Sequence, residues 1–327
     1  MKKLAAVVLV VLLVSALFAG CGETKVKTGL AVITAANKSA DAGAKPGLAQ
    51  IDSTIVAVMV DGDKIVKCVI EAVQSKINFD ASGKLITPMD TMFLTKTELG
   101  EGYGMKKASP IGKEWNEQAA ALAKYVEGKT VEEIKAIAVD EGKHPSGSDL
   151  KTSVTMSIGG YIAAIEKAVA QAQELGASSS DELGLGIVTN MGHSVNAGEK
   201  PGLAEAYSTY VAITKDSKGK ITSCVIDASQ GKVNFDKSGK ITSDIKAGIK
   251  SKNELGEGYG MKRVSKIGKE WDEQAVAFAK YVTGKTPGQV ADITVDEKGH
   301  PTGSDILATV TIAIDDLQAA LAKAAAD

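Results

Sequence analysis

The sequence runs to 327 residues, 44% of them hydrophobic and 24% charged, with a formal net charge of −2. That balance excludes a disordered chain or a collagen-like fibre, and the length suggests about two domains. Arg263 is the only arginine, which makes this nearly neutral chain a poor nucleic-acid binder.

The first element is a targeting segment. Lys2 and Lys3 precede an apolar run from Leu4 to Phe18. That is signal-peptide length, short of the roughly 20 residues a spanning helix needs. The run ends Leu17-Phe18-Ala19-Gly20-Cys21, which resembles a bacterial lipobox. Residues 1–20 would then be removed and Cys21 lipidated, holding the mature protein to a bilayer at the extracytoplasmic face of the cell membrane. An ordinary secretory signal cut at Ala19 or Gly20 is the alternative reading. Residues 21–26 read as a short polar tether. The remaining cysteines, Cys68 and Cys224, sit in apolar strand-like stretches and read as buried free thiols. The three histidines and three cysteines show no metal-ligand spacing.

The rest of the chain is a duplication. ELGEGYGMK occurs at 98–106 and again at 254–262. IGKEWNEQA (111–119) matches IGKEWDEQA (267–275), and VDEGKHPSGSD (139–149) matches VDEKGHPTGSD (295–305), all 156 positions apart. KPGLA at 45–49 and 200–204 lies at a spacing of 155, so one residue is inserted between. DGDKI (61–65) against DSKGKI (216–221) places the insertion in a hairpin turn, where it is cheap. The expected organisation is a first copy over 27–172, an exposed linker over 173–181 and a second copy over 182–327, each copy large enough for its own core.

Within each copy the elements follow one order. A short strand (Leu30–Ala35; Gly186–Asn190) leads through a polar loop to a second (Ser53–Val60; Ser208–Thr214), which turns into a third (Lys64–Ala72; Lys220–Ala228). Asp80–Lys84 and Asp236–Lys240 form a further turn before the glycine-rich loop. A helix then spans Lys113–Val126 and its equivalent Lys269–Val282, with Trp115, Ala119, Leu122 and Val126 on one face and a stop at Gly128. Thr130 with Glu133 opens a shorter helix over Val131–Ile137. Leu150, Thr152, Val154, Met156 and Ile158 alternate with Lys151, Ser153, Thr155 and Ser157, as Ile306, Ala308, Val310, Ile312 and Ile314 do with Leu307, Thr309, Thr311 and Ala313, and this period of two predicts a strand. An alanine-rich helix follows (Tyr161–Gln173; Leu317–Ala326). The predicted fold is α+β: an antiparallel-rich sheet with helices packed on one side, made twice.

Several features could carry chemistry. The glycines of the repeated loop (Gly100, Gly102 and Gly104; Gly256, Gly258 and Gly260) permit close backbone approach, and their amides could hold an anion, or the loop could be a plain turn into the next helix. Trp115 and Trp271 read as core residues or as a platform for a ring. Glu114/Glu117 and Glu270/Glu273 read chiefly as first-turn acids that complement the helix dipole. His144 and His300 occupy matching turns, and His193 has Lys38 at the equivalent place. No nucleophile elbow, metal cluster or catalytic acid pair stands out, so no catalytic residue is assigned. Of the fourteen aromatics, eight form matched pairs (Phe79/Phe235, Tyr103/Tyr259, Trp115/Trp271 and Tyr125/Tyr281). Tyr161, Tyr207, Tyr210, Phe93 and Phe278 have no aromatic counterpart.

A hairpin, a Glu-x-Gly-x-x-x-Gly loop, a helix with Trp and Gln ending Gly-Lys, then an Asp, a threonine run and an alanine-rich helix together resemble the bacterial FMN-binding domain family. That resemblance implies FMN as cofactor, electron transfer with redox partner proteins, and attachment through a threonine that lies at Thr155 and Thr311 here. Ser153 and Thr309 fall in the same motif. The loop would be Glu98–Gly104 with Tyr103, and Glu254–Gly260 with Tyr259. Ser153-Val154 and Thr309-Val310 stand where the family has Gly-Ala, which leaves covalent and non-covalent FMN both open. The alternative is an envelope lipoprotein that binds a small molecule or protein partner without flavin.

Overall fold

The computed structural model describes residues 24–326, so the lipobox and Cys21 lie outside the described residues. Three long strands open each copy. They are β1 (Lys27–Ala35), β2 (Gly47–Asp61) and β3 (Lys64–Phe79), then β4 (Glu182–Asn190), β5 (Gly202–Lys215) and β6 (Ile221–Phe235). Each trio is an antiparallel sheet in chain order, with β2 or β5 at the centre. The inserted residue falls in the β5–β6 hairpin, where the Asp216 carboxylate accepts from the amides of Lys218 and Lys220.

Five helices follow each sheet. Copy one has α1 (Lys96–Leu99), α2 (Trp115–Val126), α3 (Val131–Lys135), α4 (Ser148–Lys151) and α5 (Gly159–Ala170). Copy two has α6 (Lys252–Leu255), α7 (Trp271–Val282), α8 (Pro287–Ala291), α9 (Ser304–Leu307) and α10 (Asp315–Ala326). The Thr130–Glu133 pair caps α3 as its spacing requires. Helices α5 and α10 lie directly on strands β1 and β4, because a Cβ on Gly29 would stand 2.1 Å from the Ala168 carbonyl, and one on Gly184 1.8 Å from that of Ala324. No described helix is long and apolar enough to cross a membrane.

The central strand is buried on both faces. Val56, Val58 and Val60 face Trp115, Leu122 and Ile165 of their own copy. Ile55 and Ala57 face Leu185, Ile187 and Tyr210 of the other. Each such aliphatic side chain contributes about 1.5–3 kcal/mol when fully buried. The layers are therefore helices, sheet, sheet, helices, and the two sheets share a core. Phe79 and Phe235, both fully buried, stack there at 4.2 Å and 7°. Polar contacts between the copies are reciprocal. Ala42 N donates to Gly239 O and Ala197 N to Gly83 O, while Lys167 pairs with Glu254 at 2.8 Å and Lys323 with Glu98 at 2.6 Å. These matched pairs relate the copies by a local twofold.

Three expectations fail. Residues 150–158 and 306–314 are not strands. α4 and α9 turn first, and the chain then runs irregularly with its Thr155 and Met156 amides bonded to the Gln118 side chain instead of a neighbouring strand. Leu150, Val154, Met156 and Ile158 are buried as the alternation predicts, but Thr152 and Ala308 on the same predicted face are exposed, because a helical turn and not a strand carries them. Residues 173–181 are not an exposed linker. Ala177, Ser178 and Asp181 are buried, and Gln173 N bonds Thr28 O. Nor do residues 24–26 hang free as a tether. Val26 N donates to Ala177 O and Ser179 N to Thr24 O, so the two segments pair with each other.

Candidate functional site

The glycine-rich loop folds into two short 3-10 turns after α1 (Gly100–Tyr103, Met105–Lys107) and likewise after α6. Its amides are largely spent. Gly104 N bonds Glu101 O. The buried Glu114 carboxylate, at the N-cap of α2, accepts from Met105 N at 2.9 Å and Lys106 N at 3.1 Å. Glu270 holds Met261 N and Lys262 N in the same way. The first-turn acids thus do more than complement a dipole, since they fasten the loop. Glu98 and Glu254 are capping-box residues of α1 and α6 as well as the acids that reach lysines of the opposite copy.

The two threonines are positioned by a buried glutamine on the tryptophan helix. Gln274 Oε1 accepts from Thr311 N at 2.8 Å and from Thr311 Oγ1 at 3.1 Å. Its Nε2 donates to Lys269 O and Ser265 Oγ. Gln118 does the same for Thr155. Both hydroxyls are half-buried donors, and esterification would remove the proton each one donates. Ser153 and Thr309 bond back to the carbonyls of Leu150 and Ile306.

Trp115 and Trp271 are buried, as core tryptophans would be, yet each also meets a lysine two residues upstream of the repeated loop. Lys252 Nζ lies 4.7 Å from the Trp271 ring, 4.7 Å from Tyr259 and 4.6 Å from Tyr207, and donates to Tyr207 Oη at 2.7 Å. Burial pulls its pKa down to about 7, against the nearby Glu205 charge. In copy one Lys96 sits 4.6 Å from Tyr103 and 5.1 Å from Trp115. Such contacts favour the charged form of a desolvated amine. The repeat carries this lysine pair two residues before ELGEGYGMK, where a longer alignment shows it.

In copy two these groups line a cleft of about 730 Å³ that reaches Thr311 and Gln274, a volume suited to a drug-sized ligand. His193, His300 and Lys266 line it together with Asp296, Asp315 and Asp316, and His300 Nδ1 lies 3.3 Å from the Asp296 carboxylate. His193 packs edge-on against Tyr207 and lies 3.4 Å from the buried Glu205. Glu205 and Gln230 carry no signal in the sequence, and Tyr207 shows there only as an aromatic without a counterpart. Tyr207 and Glu205 have no like residue in copy one, where Asp52 and Gln50 stand. Cys68 and Cys224 are free, buried and away from the cleft, with thiol pKa values raised by burial. No cluster of metal-ligating residues occurs among the described residues.

The cleft fits an aromatic ring system. A phosphate fits less readily, because the loop amides already serve Glu270 and the lining is of mixed charge. Comparison with family models, curated proteins and solved structures returns no match, so the chain is placed in no family.

Proposed function

We propose that this is a membrane-anchored extracytoplasmic lipoprotein that binds a small aromatic ligand non-covalently in the copy-two cleft, and that FMN is the first cofactor to test. The supporting observation is the convergence of Tyr207, Tyr259, Trp271 and Lys252 on one cleft beside Thr311. A bound flavin would make the protein an electron carrier serving redox partners, with the cofactor doing the chemistry. This chain's residues would supply ring contacts from Tyr259 and Trp271 and a cation from Lys252. The Thr311 hydroxyl, engaged by Gln274, speaks for reversible binding over a phosphodiester. The reading without flavin, an envelope lipoprotein that holds another small molecule, draws on the occupied loop amides and the lining aspartates.

The test is to express the mature chain in a host with a flavin transferase, record its colour and intact mass, and titrate it with FMN. Saturable quenching of FMN fluorescence without a mass increase is expected. A colourless, unmodified protein that leaves FMN fluorescence unchanged would remove flavin from the proposal. A mass gain lost on replacing Thr155 and Thr311 would show the covalent form instead.

A further inference from the structure

We infer that the copies have diverged into one self-occupied and one open site, and that the copy-two cleft takes a single aromatic ligand presenting a hydrogen-bond acceptor to Trp271 Nε1. This rests on the small-aromatic-ligand reading above, though not on the ligand being a flavin.

Copy one supplies its own occupant. Tyr161, in the first turn of α5, places its hydroxyl 2.9 Å from Trp115 Nε1 as acceptor, with ring centroids 6.2 Å apart and planes inclined at 51°. A phenol ring with an oxygen acceptor is thus held against the tryptophan. The matching position on α10 is Leu317, a cleft-lining residue with nothing to accept a hydrogen bond. Trp271 is only 4% exposed, yet its Nε1 is not among the buried polar atoms that lack a partner, and no protein acceptor bonds it among the described residues. In a residue that lines the cleft, this N–H is open to an acceptor from outside. Tyr207 does not replace Tyr161, because its phenol is bonded to Lys252 and its ring abuts His193. What Tyr161 does for Trp115 is therefore left in copy two to a molecule from outside. The intramolecular phenol indicates its chemistry: a flat ring bearing a phenolic or carbonyl oxygen.

The two tryptophans allow each site to be read separately. In full-length Trp115→Phe protein only Trp271 reports, and in Trp271→Phe only Trp115 reports. Titration with p-cresol should change Trp271 emission saturably and leave Trp115 emission unchanged. Tyr161→Leu in the Trp271→Phe background should switch on a saturable Trp115 response. Leu317→Tyr in the Trp115→Phe background should weaken the Trp271 response at least tenfold, with far-UV circular dichroism checking that each variant is folded. A Trp271 that ignores p-cresol, or a Trp115 that responds with Tyr161 in place, would overturn the inference. So would a folded Tyr161→Leu protein whose Trp115 stays silent. FMN is titrated in parallel: a response to p-cresol without one to FMN ends the flavin reading and leaves this one standing, whereas two FMN per wild-type chain would overturn it.

Discussion

Phe235→Ala should destabilise both copies together. The ring is fully buried, stacks on Phe79 at 4.2 Å, and belongs to a core built from both sheets. A Cβ on Gly202 would lie 2.4 Å from the Phe235 ring, and one on Gly47 2.3 Å from the Phe79 ring. Each ring thus lies flat on backbone that has little freedom to collapse inward. Truncating a buried phenylalanine costs about 3–5 kcal/mol, and an aromatic pair carries about 0.5–1.5 kcal/mol beyond its buried area. Poor relaxation puts the expected loss near the upper end, about 4–5 kcal/mol. That is about a quarter or more of the ~5–15 kcal/mol that holds an ordinary domain folded. Urea unfolding followed by fluorescence in the Trp115→Phe and Trp271→Phe backgrounds reports each copy separately. With Phe235 intact the two transitions should coincide. With alanine there, both midpoints should fall together, at unchanged slope. Separate transitions, or a Trp115 midpoint that stays in place, would refute the shared core as the unit of stability.

Gln274→Leu should cost about 2–6 kcal/mol in the same assay, because it strands the Thr311 amide and the Lys269 carbonyl, at about 1–3 kcal/mol for each unsatisfied group. Thr311→Val, which removes only the hydroxyl, should cost about 1 kcal/mol or less. Equal losses in these two variants would show that Gln274 does not organise the segment. Burial raises the Asp227 pKa to about 6, so the folded state holds its proton where the unfolded state has released it. Stability should therefore fall as pH rises from about 4 to about 6, and Asp227→Asn should flatten that slope when urea midpoints are taken across the range. Lys252 has the opposite sense. Its pKa lies near 7 in the folded state, so stability should rise as pH climbs above 7, and Lys252→Met should abolish the rise. A wild-type curve that is flat from pH 7 to 9 would show that Lys252 keeps an ordinary pKa.

The strands, the tryptophan helix and the capped helix after Thr130 could be read from the sequence, since each rests on a local rule of periodicity or capping. Even the sheet-on-sheet contact left a trace. Ile55–Val60 is a continuous buried run, which a strand covered on one face would not need. Other features were hidden because they depend on partners far away in the chain. The serines of 178–180 look like linker composition, yet the segment is pinned by residues 24–28 on one side and by Thr222, which donates to Asp181, on the other. Residues 150–158 alternate like a strand, but the bonds their amides make are to a side chain, and no pattern along the sequence reports that. Glu114 could be placed in a first turn; that it captures the preceding loop could not.

The repeat comparison also says where the copies were free to change. The lysine, tyrosine, tryptophan, glutamine and threonine of the site are the same in both: Lys96/Lys252, Tyr103/Tyr259, Trp115/Trp271, Gln118/Gln274 and Thr155/Thr311. Pairs that differ near them include Lys38/His193, Asp52/Tyr207 and Tyr161/Leu317, with Gly159-Gly160 against Asp315-Asp316. In copy two every one of these lies on the cleft. Of the five aromatics without a matching aromatic, Tyr161 and Tyr207 belong to this site, Phe93 and Tyr210 to the core between the copies, and Phe278 to the helix core of copy two. An unchanged Lys-Tyr-Trp-Gln-Thr set with different residues around it is what is expected when one frame is kept for positioning and its contents are altered. A tyrosine from the helix closes the frame in copy one, while a tyrosine from the strand and two new aspartates line it in copy two. The two halves therefore differ at the site where a ligand would distinguish them.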